Sequence, residues 1–150
     1  MIYLASDHAG FERKNEIAAW LKQENIPFVD IGPFGYDPLD DYPDFIIPAA
    51  EKVGDDPNNN RALILGASGQ GEAIAANKVK GVRAALYYGG NQDIVALSKL
   101  HNNTNILSIG AKFVGKEEAI AVVKLWLETN FTNEERHARR INKISQFENK

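Results

Sequence analysis

The sequence has no cysteine among its 150 residues. A disulfide framework, a thiolate nucleophile and a cysteine-ligated metal are therefore all excluded. No apolar run approaches the roughly 20 residues that a membrane-spanning helix needs. The opening residues, Met1 to Ser6, also lack the basic stretch that begins a secretory signal, so a soluble cytoplasmic protein is expected. An excess of positive charge is missing too: 17 basic residues stand against 20 acidic ones, for a net charge of −3. Neither nucleic acid nor an anionic membrane is the expected principal partner. Histidine is scarce. His8, His101 and His137 are the only three, and no two have metal-site spacing, so no metal is expected.

With 44% hydrophobic residues, the chain can bury one core as a single α/β domain over residues 1–150. Strand-like and helix-like stretches alternate along it. Strands are expected at Met1–Ser6, Pro27–Ile31, Ala62–Leu65, Val82–Tyr87 and Asn105–Ile109. Helices are expected at Phe11–Gln23, Phe45–Val53, from Glu72 to Asn77, Asn91–Leu100 and Gly115–Thr129. This alternation predicts a Rossmann-like, doubly wound, mostly parallel five-stranded sheet. The segment Gly32–Asp44 is longer than a plain connection requires, which points to function.

The stretch RALILGASGQGEAIAANK, from Arg61 to Lys78, reads as a strand, a tight loop and a helix start. Gly66, Gly69 and Gly71 let the backbone turn N–H groups toward an anion, and the helix N-terminus adds partial positive charge. Nucleotide-binding loops of two kinds are ruled out by residue type. Gly66 and Gly71 have P-loop spacing, but Glu72 stands where a phosphate-binding lysine belongs, and the dinucleotide fingerprint lacks its third small residue. What remains is a loop suited to developing negative charge, ending in a carboxylate that is either chemical or simply favourable at a helix N-terminus.

The tail, residues 132–150, adds a helix after the sheet is complete. Arg136 and Arg140 fall four residues apart on one face with His137 beside them, and Ile141, Ile144 and Phe147 make an apolar stripe. Such a helix can dock on its own domain or at a subunit interface. The basic turn suits either solvent or a phosphate monoester.

Five segments in order carry a resemblance: Ser6-Asp7-His8-Ala9-Gly10; Asp41-Tyr42-Pro43-Asp44; Gly69-Gln70-Gly71-Glu72 with Ile74 to Lys78; His101-Asn102-Asn103; and Arg136-His137-Ala138-Arg139-Arg140. Together they resemble the type B ribose-5-phosphate isomerases, a family that also includes galactose-6-phosphate isomerase subunits. The resemblance implies an aldose–ketose isomerase that works through an enediolate without metal or organic cofactor. It further implies a homodimer or dimer of dimers whose active sites are shared between chains.

One branch of the family uses a cysteine as base at the position of Gly66; the other uses the glutamate of the Gly-rich loop, here Glu72. By the same resemblance His101 is the ring-opening acid, Asp7 helps take the anomeric proton, and Ser68 with Gly69, Gln70 and Gly71 supplies the oxyanion site. His8 and Asn102 hold sugar hydroxyls, while Arg136, Arg140, His137 and Lys112 bind the phosphate. Lys112 departs from the usual arginine and loses its two-pronged fork. Tyr42 is either a pocket wall or structural. The expected substrates are ribose 5-phosphate and ribulose 5-phosphate. The alternatives are a six-carbon sugar phosphate such as allose or galactose 6-phosphate, and a non-catalytic sugar-phosphate-binding subunit.

Overall fold

The computed structural model describes all 150 residues. In chain order its elements are β1 (Ile2–Ser6), α1 (Phe11–Gln23), β2 (Phe28–Gly32), α2 (Pro43–Asp55), β3 (Arg61–Gly66), α3 (Gln70–Ala76), β4 (Ala84–Tyr87), α4 (Asp93–Asn102), β5 (Ile106–Gly110), α5 (Lys116–Glu128) and α6 (Glu135–Glu148). The strands form one sheet in the order β2-β1-β3-β5-β4, and every pairing is parallel. The expected alternation is therefore present, in a sheet with no antiparallel member. No helix is long and apolar enough to cross a membrane.

Alternation of side chains across the strands accounts for two cores. Leu4, Leu63, Leu65, Leu107 and Ile109 face one layer with Ile17 and Leu21 of α1 and Val122, Val123 and Trp126 of α5. Ala5, Ala62, Ile64 and Ile106 face the other, against Ile46, Ala49, Ala50 and Val53 of α2 and Ala76 of α3. Residues Ala62 to Gly66 of β3 and all of β5 are buried, which is why these apolar strands sit inside the sheet. The more exposed β2 and β4 form its edges.

Three boundaries move toward the functional segments. α3 begins at Gln70 rather than Glu72, so Gln70 and Gly71 belong to its first turn. α2 begins at Pro43, earlier than expected, because proline's fixed φ suits a first helical position where its missing N–H costs nothing. α4 runs through Asn102, so His101 and Asn102 belong to its last turn. The tail helix α6 packs against α4 of its own chain, yet leaves Ile144 and Phe147 exposed.

Strand order fixes where chemistry can gather. From β1 the chain leaves toward β2, and from β3 it leaves in the opposite direction toward β4. The carboxyl ends of β1 and β3 therefore flank the topological switch point, where open α/β sheets form their ligand crevice.

Candidate active site

Asp7 and His8 follow β1 directly, and the Gly-rich loop follows β3, so both reach the switch point. Asp7 is buried, and its Oδ1 accepts a hydrogen bond from Gly10 N–H at 3.0 Å. The turn is tight because Gly10 lies against the end of β3: a Cβ there would sit 2.5 Å from the Leu65 carbonyl oxygen. The Gly-rich loop is held by Ala111 N–H and Lys112 N–H, which donate to the carbonyls of Gly66 and Ala67 at 2.8 and 3.0 Å. Ser108 Oγ–H donates to Gly69 O at 2.7 Å. Gly69 takes φ 75°, a left-handed conformation that glycine enters without strain, and so starts α3. The Gln70 N–H donates to Ser68 Oγ at 3.3 Å, whereas the N–H groups of Ser68, Gly69 and Gly71 meet no backbone carbonyl.

Glu72 lies at the centre of this end. It is only 4% exposed, and its carboxylate rests against the Cα of Gly66, where any side chain at position 66 would collide with it. Burial pushes the Glu72 carboxyl above the ordinary glutamate value; its own backbone N–H partly offsets the rise, and the charge of Asp7 adds to it. Tyr42 covers the other flank, its ring so close that a Cβ on Gly71 would lie 2.8 Å from Tyr42 Cζ. Lys112 is exposed beside the same loop.

A second cluster gathers at the opposite end of the sheet. α4 runs from the carboxyl end of β4 back to the amino end of β5, carrying His101 and Asn102 with it. There the His101 and His137 rings stack with centroids 4.3 Å apart and planes 16° from parallel. His137 is buried, and burial, His101 and Arg136 all push its pKa down. Arg136 and Arg140 are exposed on α6. Arg136 Nε donates to Glu134 at 3.1 Å, while Arg139 is occupied by both oxygens of Glu135 at 2.9 and 2.7 Å.

The structure thus brings Asp7, His8, Ser68, Gly69, Gln70, Gly71, Glu72 and Lys112 to one end of the sheet. His101, Asn102, Arg136, His137 and Arg140 lie at the other. With a rise of about 3.3 Å per residue, a five- or six-residue strand separates the two ends by roughly 17–20 Å.

A family model described as Ribose/Galactose Isomerase matches residues 2–144. The chain belongs to the ribose/galactose isomerase family. It is 42% identical over 147 residues to ribose-5-phosphate isomerase B of Mycolicibacterium paratuberculosis, covering 98% of this chain and 91% of that protein. Among solved structures it is similar to the Mycoplasma genitalium ribose-5-phosphate isomerase B with bound ribulose-5-phosphate, with a TM-score of 0.94, 40% identity, and coverage of 99% and 96% of the two chains. It also resembles the Clostridium thermocellum enzyme, with a TM-score of 0.91 and 38% identity over 99% and 97%.

Sequence reasoning missed one residue at the carboxyl end of the sheet. Asp40, from the long segment between β2 and α2, directs one oxygen at His8, accepting from its backbone N–H at 3.0 Å and pairing with its Nδ1 at 2.6 Å. The only signal was the acidic run that closes an overlong loop. Asp7, His8 and Asp40 each place one ligand-type atom within 4.8 Å of the others. The short His8–Asp40 hydrogen bond occupies two of these three groups with each other, and a cation would have to break it.

Proposed function

We propose that the protein interconverts ribose 5-phosphate and ribulose 5-phosphate, with Glu72 as the base that moves the proton between C1 and C2. The observation that carries this reading is the buried Glu72 carboxylate packed on Gly66. The other branch of the family places its cysteine base at that position, so the carboxylate fills the volume from which the thiolate would act. A base reaching from residue 72 and one standing on residue 66 would meet the same substrate carbon. Its burial is also suited to the task, because a carboxyl raised toward the working pH is a better proton carrier than an exposed one.

Around that base the reaction divides among the remaining residues. The sugar ring opens as His101 protonates the ring oxygen and Asp7 takes the anomeric proton. Glu72 then removes the proton from C2 of the open-chain aldose and returns it at C1, while the proton of the C2 hydroxyl passes to the C1 oxygen across the enediolate. The enediolate oxygen is met by the unpaired N–H groups of Ser68, Gly69 and Gly71, aimed in advance and needing no reorganisation. His8 and Asn102 bind sugar hydroxyls. Arg136 and Arg140, with His137 alongside and Lys112 across the site, hold the phosphate.

These roles cannot be filled by one chain, whose acid and phosphate groups lie a strand length from its base. A second copy, docked so that its α4–α6 end meets the Glu72 end of the first, completes each site. Exposed apolar residues near both ends, Ile74 on α3, Leu97 on α4 and Phe147 on α6, are consistent with such a contact.

The test is turnover of ribose 5-phosphate by the purified protein, with allose 6-phosphate and galactose 6-phosphate in parallel. The expected result is the highest kcat/KM for the pentose phosphate. Absence of interconversion under conditions where a control isomerase works would remove the assignment, and a higher kcat/KM for a hexose phosphate would move the substrate to the six-carbon class.

A further inference from the structure

The segment between β2 and α2 is long, and one atom in it has a conspicuous task. Asp40 Oδ1 takes both the backbone N–H and Nδ1 of His8. An ionised carboxylate can only accept, so Nδ1 must carry a proton. Asp40's side chain is 7% exposed, whereas that of His8 is 32% exposed. The second Asp40 oxygen is buried and has no hydrogen-bond partner, leaving the imidazole as the group positioned to balance its charge. Other charges face the ring as well: Asp7 from the turn after β1 and Asp37 from the same segment as Asp40. The edge of the Tyr36 ring closes one side, 6.3 Å away at 83°. No positive charge is among these neighbours. His8 Nε2, on the far side of the ring from Asp40, has no protein partner.

We propose that Asp40 is a positioning residue that holds His8 as a two-proton donor, with Nδ1–H locked inward and Nε2–H presented to a sugar oxygen. The proposal rests on the isomerase reading for its substrate but on the His8–Asp40 hydrogen bonds for its geometry. It gives the long segment a purpose: it carries a carboxylate to the back of a histidine that β1 alone could not orient. Hydrogen bonding to Asp40, chiefly, and the charges of Asp7 and Asp37 raise the His8 pKa above its ordinary 6.5 against the opposing effect of burial. Once His8 gives up a proton, Asp40 retains the one on Nδ1, and Nε2 turns from donor to acceptor. Substrate binding should therefore weaken as pH rises through the raised value.

The experiment is 15N NMR of the imidazoles in the full-length protein, combined with KM and kcat across pH for Asp40→Asn, His8→Ala and the double variant. In the wild type, His8 should stay protonated on both nitrogens above pH 6.5, and in Asp40→Asn it should lose Nε2–H at lower pH. At mildly alkaline pH the Asn variant should show KM raised about 10- to 100-fold, the range for losing a hydrogen bond to a charged group, with a smaller change in kcat. In the His8→Ala background the same substitution should add nothing. A wild-type His8 that titrates at its ordinary value overturns the proposal, as does an equal Asp40→Asn effect with and without His8. The NMR titration needs no substrate, so it reads the pair even if turnover fails and the proposed function falls with it. Should Asp40→Asn not fold, the wild-type titration alone still decides.

Discussion

Replacing Gly66 with alanine adds a single methyl group where Glu72 leaves no room. A Cβ at residue 66 would lie 2.5 Å from Glu72 Oε2 and would overlap Oε1 outright. Carbon–oxygen contacts settle near 3.3 Å, so the carboxylate must retreat by about 1 Å or more. Leu65 and Glu72 are both buried, and overpacking of that kind costs about 1–3 kcal/mol. The backbone at Gly66 is outside the left-handed region, so alanine adds no conformational strain and the chain should still fold. A reacting group displaced by about 1 Å loses on the order of 100-fold in rate. The expected outcome is therefore a folded protein with kcat reduced about 100-fold, read from initial rates of ketose formation alongside urea denaturation. Adding Glu72→Ala should recover stability lost to the methyl group, because the obstructing carboxylate is gone, while activity stays absent. Should Gly66→Ala retain kcat within about threefold of wild type, against the 100-fold expected for such a displacement, a base held by Glu72 against Gly66 is refuted.

Glu72→Gln should lower kcat by about 100- to 10,000-fold, the usual contribution of a positioned base, with KM little changed. The same variant should be more stable than wild type at neutral pH. Folding raises the Glu72 pKa above 4.5, so the cost of its buried charge is absent below that pH and grows as pH rises through the folded value; denaturation across pH should show the two proteins converging in acid. The acid limb of wild-type kcat/KM should fall above the ordinary glutamate value for the same reason. Tyr87 donates to Glu118 at 2.5 Å, and burial with that contact lifts its pKa to about 12. Tyr87→Phe should cost about 1.5–3 kcal/mol by urea denaturation. Finally, Glu72→Gln and His101→Ala chains, each inactive alone, should recover about a quarter of wild-type activity when unfolded and refolded together at equal amounts, since half the pairs are mixed and each mixed pair has one intact site. No recovery would place Glu72 and His101 in the same chain's site.

The alternation of elements was legible because each strand is short and bracketed by turns, and the apolar run Ala62 to Leu65, too short for a helix and closed by Gly66, reads as a strand buried on both faces. The order of strands was not: nothing local in Ile106–Gly110 says that it inserts between β3 and β4. Most motif residues were legible by resemblance, and Glu72 also by its place at the end of a glycine loop. Their division between two ends of the sheet was hidden, because His101 lies in the last turn of α4, a helix that begins at one end and finishes at the other. Asp40 escaped for a different reason. Its partner lies 32 residues away, and a carboxylate within an acidic run has no periodicity to mark it.

The placement of the two clusters at opposite ends of a parallel sheet has a geometric corollary. If two identical chains complete each other's sites, the carboxyl end of one sheet must face the amino end of the other. A two-fold axis can bring that about only if it runs across the strands, so that the two sheets point in opposite directions. One rotation then builds both sites at once, since the contact that delivers a His101 to one Glu72 delivers the reciprocal pair as well. Strand length becomes the ruler that sets the distance between the two active sites, and a residue inserted in β3 or β5 would shift both together.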